Sequence, residues 1–199
     1  MIELPDRTTD YYADPVGFWA GQGRYFVPFA EPSPEHQRQQ EAIARVLDFP
    51  IGSIFEAGCG AGRLANFFRQ LPVTAEATYT AIDVGSDQLA MSRAWRPDAR
   101  LTLGRLQDHA TDERYDLVVS SEVLMHIPPI DFGPCVEKLI SLVAPHGRLL
   151  VVEWVPLPGE LEANPTARHN WPHDYEAAFG DRKWSSVRTD RQMVYLVTP

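Results

Sequence analysis

The sequence has few of the features that mark a secreted or membrane-spanning protein. Its 199 residues include two cysteines, Cys59 and Cys135, whose number and spacing offer neither a disulfide framework nor a metal site. No window approaches the ~20 apolar residues of a membrane span, and no positively charged stretch followed by an apolar one marks a signal peptide at the start. We therefore expect a protein of the reducing cytoplasm that does not contact a membrane.

Positive charge is also scarce. Lysine and arginine together number 18 against 27 aspartates and glutamates, a formal net charge of −9, and no run of basic residues interrupts this balance. Because nucleic-acid binding needs a basic surface, we expect no nucleic-acid partner. The hydrophobic fraction of 44% and the charged fraction of 23% are those of an ordinary globular protein.

The length predicts a single domain over residues 1–199. Residues 1–34 combine many aromatics with turn-forming residues and show no regular period, so we interpret them as a lid segment that lies over the rest. Ser33 followed by Pro34 predicts the start of a helix. Residues 156–179 are rich in proline at first and form an excursion on the expected substrate side, where the alternative is a loop that simply caps the sheet.

Strand-like and helical patterns alternate along the middle of the chain, which is typical of βαβ units and a mostly parallel sheet. Two further strands at 184–188 and 193–197 are joined too tightly for anything but an antiparallel hairpin. The fold class is therefore α/β, an open mixed sheet. The earlier strands are predicted at 53–56, 78–82, 101–103, 115–120 and 148–155, and the helices between them at 64–71, 87–95 and 132–143.

A glycine-rich stretch follows the first predicted strand. Gly58, Gly60 and Gly62 allow a tight turn and a close approach of a ligand to the backbone. Glu56 closes this strand, and Asp83 closes the next one, where a carboxylate accepts hydrogen bonds from ribose hydroxyls. The alternative for Asp83 is a helix cap. The pattern predicts a nucleotide-type cofactor at the first strand-to-helix turn.

With these residues the chain resembles the class I S-adenosylmethionine-dependent methyltransferases over about residues 40–155. The acidic residue two before a GxGxG loop and the acidic end of the second strand match the family's first two motifs. The segment YDLVVSSEVLMHIP, which begins at Tyr115, matches its fourth strand, and the turn through Pro145 and Gly147 precedes its fifth. The resemblance implies a Rossmann-like seven-stranded sheet in the order 3-2-1-4-5-7-6, with strand 7 antiparallel and helices on both faces.

The resemblance also implies S-adenosylmethionine as cofactor and S-adenosylhomocysteine as product. The residues expected to bind it are Tyr12, Arg24, Glu56, Gly58, Cys59, Gly60, Arg63, Asp83, Val84, Gln88, Leu106, Gln107 and Ser121. Arg105 stands near the place where many relatives carry an aspartate for the adenine amino group. Because an arginine cannot accept that hydrogen bond, we expect the backbone at Leu106, together with Gln107, to hold the adenine.

Other functions remain open at this point. A nicotinamide-dependent oxidoreductase prefers GxGxxG, whereas Gly62 comes one residue early here. A protein methyltransferase and a non-catalytic cofactor-binding fold are further alternatives. We favour methylation of an oxygen or nitrogen of a small organic molecule, with a role in natural-product biosynthesis, by a monomer or homodimer. No metal is expected.

Candidates for acceptor binding follow the fourth and fifth strands. His126 is the first choice for a base and His173 the second, since an imidazole titrates near working pH. The alternative for His126 is that it is not a base, because many members of the family carry a histidine near this point without using it as one. Glu122 and Glu153 end strands on the same rim, where a carboxylate holds an amine or is simply solvated. The expected substrate-binding residues are Trp19, Tyr25, Glu122, His126, Glu153, His169, His173 and Asp174.

Overall fold

A computed structural model of the chain describes residues 14–21, 33–155 and 170–199. The described part contains six α-helices, two short 3₁₀ helices and seven strands. The helices are α1 (Pro15–Ala20), α2 (Pro34–Val46), α3 (Arg63–Gln70), α4 (Ser86–Trp95), α5 (Pro129–Ser141) and α6 (Tyr175–Phe179). The strands are β1 (Ser53–Ala57), β2 (Thr78–Asp83), β3 (Arg100–Leu103), β4 (Tyr115–Ser121), β5 (Val143–Trp154), β6 (Lys183–Arg188) and β7 (Gln192–Thr198).

The seven strands form one sheet in the order β3-β2-β1-β4-β5-β7-β6. The first five strands are parallel, and β7 runs antiparallel to both β5 and β6. This confirms the expected Rossmann-like sheet and its order. Strands β2 and β3 lie on one side of β1, and β4 and the later strands lie on the other. The carboxyl end of β1 is therefore the topological switch point, at which open α/β sheets bind ligands.

Helices cover both faces of the sheet because successive strand residues point to opposite sides. On β1, Phe55 belongs to the core that α5 and α6 cover, whereas Ile54 belongs to the core under α2 and α3. Val118 and Leu117 of β4 divide in the same way. The continuous apolar run of β4 is therefore explained by burial on both faces, as the sequence indicates.

Local signals account for the helix starts. The Ser33 side chain accepts a hydrogen bond from the backbone N–H of His36, and Pro34 occupies the first turn of α2, as predicted. The predicted turn through Pro145 and Gly147 lies inside β5, at an irregularity between the pairs Tyr115–Val143 and Leu117–Arg148. The strand thus begins earlier than the proline suggests, because an irregular stretch interrupts the ladder and pairing resumes on either side of it.

None of the helices in the described ranges is long and apolar enough to cross a membrane. The lid segment predicted at 1–34 is described only at 14–21 and 33–34, and the excursion predicted at 156–179 only from residue 170. The single-domain assignment stays a prediction.

Candidate functional site

A cleft of about 430 Å³ opens at the carboxyl ends of β1, β2 and β4. Residues 56–64 form its floor, and segments that follow β2, β3 and β4 form its walls. Trp19 of α1 closes one side. The cleft thus lies at the switch point of the sheet, where the sequence motifs predicted the cofactor.

The glycine loop makes a tight turn against β2. Gly58, Gly60 and Gly62 all have positive φ, at 71°, 51° and 87°. The Gly58 N–H donates to the Ile82 carbonyl at 2.8 Å. A Cβ on Gly60 would meet nothing within 4 Å, so this residue leaves its backbone open toward a ligand, whereas a Cβ on Gly62 would come within 2.7 Å of Ser92 Cα. The loop therefore combines ligand access with close packing of α3 on α4.

Asp83 links this loop to the end of β2. Its Oδ2 accepts from the Gly60 N–H and its Oδ1 from the Gly85 N–H, both at 2.8 Å. Burial raises the pKa of this carboxyl, while the backbone hydrogen bonds oppose the shift. A carboxylate has about four acceptor sites, so capacity remains for the hydroxyls of a ribose. The residue does not serve as the cap of α4, whose N-cap is Gly85.

Glu56 lies beneath the loop and is 2% exposed. Its Oε2 accepts a hydrogen bond from the Tyr79 hydroxyl. Burial raises the pKa of Glu56 to about 7, against the lowering effects of the Tyr79 bond and of Arg63. Cys59 also lines the cleft, and burial keeps the pKa of its thiol well above the usual value. The carboxyl of Glu56 is therefore poised to gain or lose a proton near neutral pH.

The wall expected to hold the adenine contains Val84, Gln88, Leu106 and Gln107. The Arg105 guanidinium forms a bidentate pair with Asp108, at 2.6 and 2.8 Å, and both side chains are exposed. The guanidinium of Arg105, the residue that departs from the family pattern, is therefore held in an ion pair with Asp108.

Unpaired polar atoms in the cleft are the best indication that a polar ligand fits. Within the described ranges, Gln88 Oε1 and Ser121 Oγ are buried and have no hydrogen-bond partner. Since a buried polar atom without a partner is costly, both atoms suit a ligand that carries hydroxyl and amine groups. A nucleoside with an amino-acid arm meets this requirement.

The other end of the cleft carries Trp19, Glu122 and His126. The rings of Trp19 and His126 lie with centroids 4.3 Å apart at an angle of 42°. Glu122 has a φ of 57°, a left-handed conformation rare for a residue with a side chain. Arg63 Nη2 lies 3.5 Å from its Oε2, and the Gln192 amide donates to its Oε1. The structure therefore places three of the expected substrate residues together.

Three further residues surround Glu122 that the sequence did not single out, namely His36, Gln39 and Gln192. His36 lines the cleft with its Nε2 3.9 Å from Glu122 Oε2, and burial together with Arg63 lowers its pKa to about 4. Gln39 bonds to both Arg63 and Glu122. A usable signal existed on α2, because positions 36 and 39 share the helix face of the buried Ile43.

Three of the proposed substrate residues lie away from this cleft and take structural roles. Glu153 is fully buried, and its carboxylate accepts hydrogen bonds from three backbone N–H groups of residues 123–125. Glu153 therefore lies on the core side of the turn formed by residues 123–125, and not on the rim of the sheet where it was expected. Burial raises the pKa of this carboxyl to about 8.

His173 and Asp174 follow the same pattern. The His173 ring stacks on Phe132 at 3.8 Å, and its Nε2 lies 2.8 Å from the Ile127 carbonyl oxygen, so this imidazole is engaged in packing. Asp174 caps α6 by accepting from the Ala177 N–H at 3.0 Å. The remaining candidates Tyr12, Arg24, Tyr25 and His169 lie outside the described residues.

Comparison with known proteins places this geometry in a family. Residues 55–149 match the family model described as a methyltransferase domain. The trans-aconitate 2-methyltransferase of Rhizobium meliloti (strain 1021) is 30% identical over 112 residues, which are 56% of this chain and 42% of that protein. The matched stretch thus spans less than half the length of this relative.

Solved structures share the fold over almost the whole chain. The DhpI–SAM–HEP complex is similar with a TM-score of 0.71 at 16% identity, and the match covers 94% of this chain and 97% of that one. Magnesium protoporphyrin IX methyltransferase (ChlM) from Synechocystis PCC 6803 with bound SAH gives a TM-score of 0.70 at 16% identity, covering 94% and 100%.

These findings agree with the motifs read from the residues. The glycine loop and the two acidic strand ends lie within the matched domain, and the solved structures share the fold that the seven-stranded sheet forms. Both the expected family and the expected cofactor, S-adenosylmethionine, are confirmed. Residues 55–149 therefore form a methyltransferase domain of the class I S-adenosylmethionine-dependent type.

Proposed function

We propose that this chain transfers the methyl group of S-adenosylmethionine to an oxygen or nitrogen of a small organic molecule. The observation that carries the proposal is a single cleft with two unlike ends. One end has the glycine loop and Asp83, which suit the nucleoside, and the other has Trp19, Glu122 and His126. A volume of about 430 Å³ suits a cofactor and a small acceptor better than a peptide.

The residues of this chain mainly bind and align. When bound, S-adenosylmethionine supplies an electrophilic methyl group on a positively charged sulfur. The glycine loop and Asp83 would hold this cofactor, and Trp19 and Glu122 would orient the acceptor atom toward its methyl group. Alignment of the acceptor between Trp19 and Glu122, with water excluded, supplies most of the acceleration in this mechanism.

His126 is the proposed base for an acceptor that arrives protonated. It lines the cleft, whereas His173 is stacked on Phe132 outside it, so the proton of the acceptor passes to an imidazole nitrogen of His126. With a known acceptor, His126→Asn should lower turnover by about 10²–10⁴-fold. His146→Asn, at an exposed histidine outside the cleft, serves as the control. Turnover of His126→Asn within about threefold of the wild type at every pH would leave alignment alone as the mechanism.

Names of related proteins suggest acceptors to try. The curated relatives act on trans-aconitate by name, and the structurally similar NodS is an N-methyltransferase. A panel of small carboxylic acids, amines and phenols, assayed by release of S-adenosylhomocysteine, tests the small-molecule proposal. A protein fraction that accepts methyl groups while the whole panel fails would favour the alternative, a protein methyltransferase. We further propose a cytoplasmic monomer or homodimer, with a role in natural-product biosynthesis and no nucleic-acid partner.

Calorimetry tests the cofactor end of the cleft. We expect S-adenosylmethionine and S-adenosylhomocysteine to bind at micromolar levels and NAD not to bind. Asp83→Ala should weaken binding at least tenfold, because each charge-assisted hydrogen bond contributes about 1.5–3 kcal/mol. Asp83→Asn keeps much of the loop geometry without the charge, and the exposed Asp87→Ala is the matched control. NAD binding without a response to S-adenosylhomocysteine would overturn the proposed function.

A further inference from the structure

A second cavity of about 280 Å³ lies beside the cleft. Trp154 at the end of β5, Trp171, Tyr175 at the start of α6 and Tyr195 of β7 give it aromatic walls, and Asn170 adds an amide. We call these five residues and the space between them the aromatic pocket. Its volume is that of a single substituted ring with some room to spare.

The aromatic pocket adjoins the cleft through Met125, which lines both. The backbone of Met125 is fixed on both sides, since its N–H donates to Glu153 Oε2 at 3.3 Å and its carbonyl accepts from the Trp171 N–H at 2.7 Å. The side chain that separates the two spaces is an unbranched thioether, which adapts easily to a neighbour. A ligand that displaces this side chain would extend from one space into the other.

Two buried polar atoms of the aromatic pocket lack partners. The Tyr175 hydroxyl and Asn170 Oδ1 are both buried without a hydrogen bond to any described residue. Tyr175 is 9% exposed, and its ring is held edge-on to Phe132 at 5.3 Å and stacked on Tyr195 at 5.9 Å. Because packing fixes the ring, the hydroxyl cannot turn away to find a partner elsewhere. The Tyr175 hydroxyl is therefore available as a donor and Asn170 Oδ1 as an acceptor for a ligand in a mostly aromatic space.

We infer that the aromatic pocket binds a hydroxylated aromatic ring, which forms the far end of the methyl acceptor. The ring packs between the aromatic walls, its hydroxyl donates to Asn170 Oδ1 and accepts from the Tyr175 hydroxyl, and an arm passes Met125 to present the reacting oxygen or nitrogen beside Trp19 and Glu122. This inference rests on the proposed function for the identity of the reaction, and it adds the substrate class.

Phenol tests the pocket on its own. Toluene has the same ring and nearly the same size but neither donates nor accepts a hydrogen bond. In NMR titrations, phenol should shift the indole N–H signals of Trp154 and Trp171 and bind about three- to tenfold more tightly than toluene, the value of one or two modest hydrogen bonds. Tyr175→Phe, which keeps the packed ring, should remove most of this preference.

Tyr115→Phe is the matched control, since Tyr115 is also a buried tyrosine but starts β4 and lines neither space. It should leave the preference unchanged. Asn170→Ala is a second variant in the pocket and should lower phenol affinity as Tyr175→Phe does. Equal binding of phenol and toluene to the wild type, or an undiminished preference in Tyr175→Phe, would overturn the inference.

Tyramine, a phenol with an amine arm, tests whether the two spaces take one ligand. Tyramine should shift the indole signal of Trp19 in addition to those of Trp154 and Trp171, whereas phenol should leave Trp19 unshifted. An unshifted Trp19 with tyramine would refute the shared ligand. Repeating the phenol titration with saturating S-adenosylhomocysteine should give the same affinity, and competition between the two would overturn the inference of a separate pocket.

Failure of this inference and failure of the proposed function are distinguishable. Absence of S-adenosylhomocysteine binding in calorimetry would reject the proposed function whatever phenol does. Normal S-adenosylhomocysteine binding, with a phenol affinity that Tyr175→Phe does not change, would reject only the aromatic pocket.

Discussion

Glu56 is the residue in the cleft whose protonation responds most directly to a cationic ligand. Burial raises its pKa to about 7, so near neutral pH the empty protein holds a proton on this carboxyl in part of the molecules. A cofactor with a positive sulfur and an ammonium group favours the charged carboxylate. Binding is therefore coupled to release of this proton.

We expect the affinity for S-adenosylmethionine to rise as pH increases from 6 to 8, with proton release on binding below about pH 7. Calorimetry in buffers of different ionisation enthalpy measures both quantities. Glu56→Gln should flatten the pH profile while it keeps an acceptor for the Tyr79 hydroxyl. A wild-type affinity that falls over this range would contradict the assignment.

Gly62 carries a second prediction at the scale of one residue. Its φ of 87° and the 2.7 Å approach of an added Cβ to Ser92 Cα make Gly62→Ala strained and crowded against backbone. We expect a loss of about 2 kcal/mol or more in the free energy of unfolding, measured by urea denaturation. Gly133→Ala in α5, where an added Cβ meets nothing within 4 Å, should change it by less than about 1 kcal/mol. Equal effects would argue against the close packing at Gly62.

Site residues were predictable where they belong to one local motif. They were not predictable where the fold brings distant parts of the chain into contact. Gly58, Gly60 and Asp83 follow directly from a motif, and the structure joins Gly60 to Asp83 by a hydrogen bond. Gln192 reaches Glu122 only because β7 pairs beside β5. No local pattern encodes that pairing, so the contact of Gln192 with Glu122 could not be predicted from the sequence.

The turn of residues 123–125 is held in place by one side chain, that of Glu153. Glu153 of β5 accepts three backbone N–H groups of this turn, which also carries Met125 and leads to His126. The sequence predicts a carboxylate at the end of β5. It does not predict that the turn of residues 123–125, which follows β4, packs against that carboxylate. The substrate role predicted for Glu153 therefore gave way to an anchoring role.

Glu153→Ala should leave these N–H groups without their acceptor. We expect a loss of about 2–4 kcal/mol in the free energy of unfolding, since each unsatisfied buried group costs ~1–3 kcal/mol and part of this turn can reach water. Chemical denaturation measures the loss. Glu176→Ala on the exposed face of α6 is the control and should have little effect. A Glu153→Ala protein as stable as the wild type would contradict the anchoring role.

At the scale of the molecule, buried titratable groups set how stability depends on pH. The pKa of His36 is lowered from 6.5 to about 4, so the unfolded chain binds more protons in that interval and stability rises with pH there. The pKa values of Glu56 and Glu153 are raised from 4.5 to about 7 and about 8, so the folded state holds more protons and stability falls as pH rises through those intervals.

Above pH 6.5 the contribution of His36 levels off, whereas Glu56 and Glu153 still titrate in the folded state. The free energy of unfolding should therefore decrease between pH 6.5 and pH 8. Urea denaturation at the two pH values measures the change, and Glu56→Gln should reduce it. A protein that becomes more stable over this interval would show that the two carboxyls are ionised in the folded state at pH 6.5.

The sheet as a whole was predictable in part from local patterns. The alternation of strands and helices and the short turn at Thr189 and Asp190 predicted a parallel sheet with an antiparallel hairpin, as observed. The order of the strands came from the resemblance to a family, because alternation alone does not determine which edge each strand joins.

The position of β7 between β5 and β6 has a consequence for native-state hydrogen exchange. Among the described strands, β6 pairs only with β7, whereas β7 pairs with β5 as well. Any opening that detaches β7 from β5 also releases β6 from the sheet, while β6 can open with β7 in place. Deuterium should therefore enter the amides of β6 that face β7 at least as fast as those of β7 that face β5. Slow exchange in β6 beside fast exchange in β7 would contradict this order of strands.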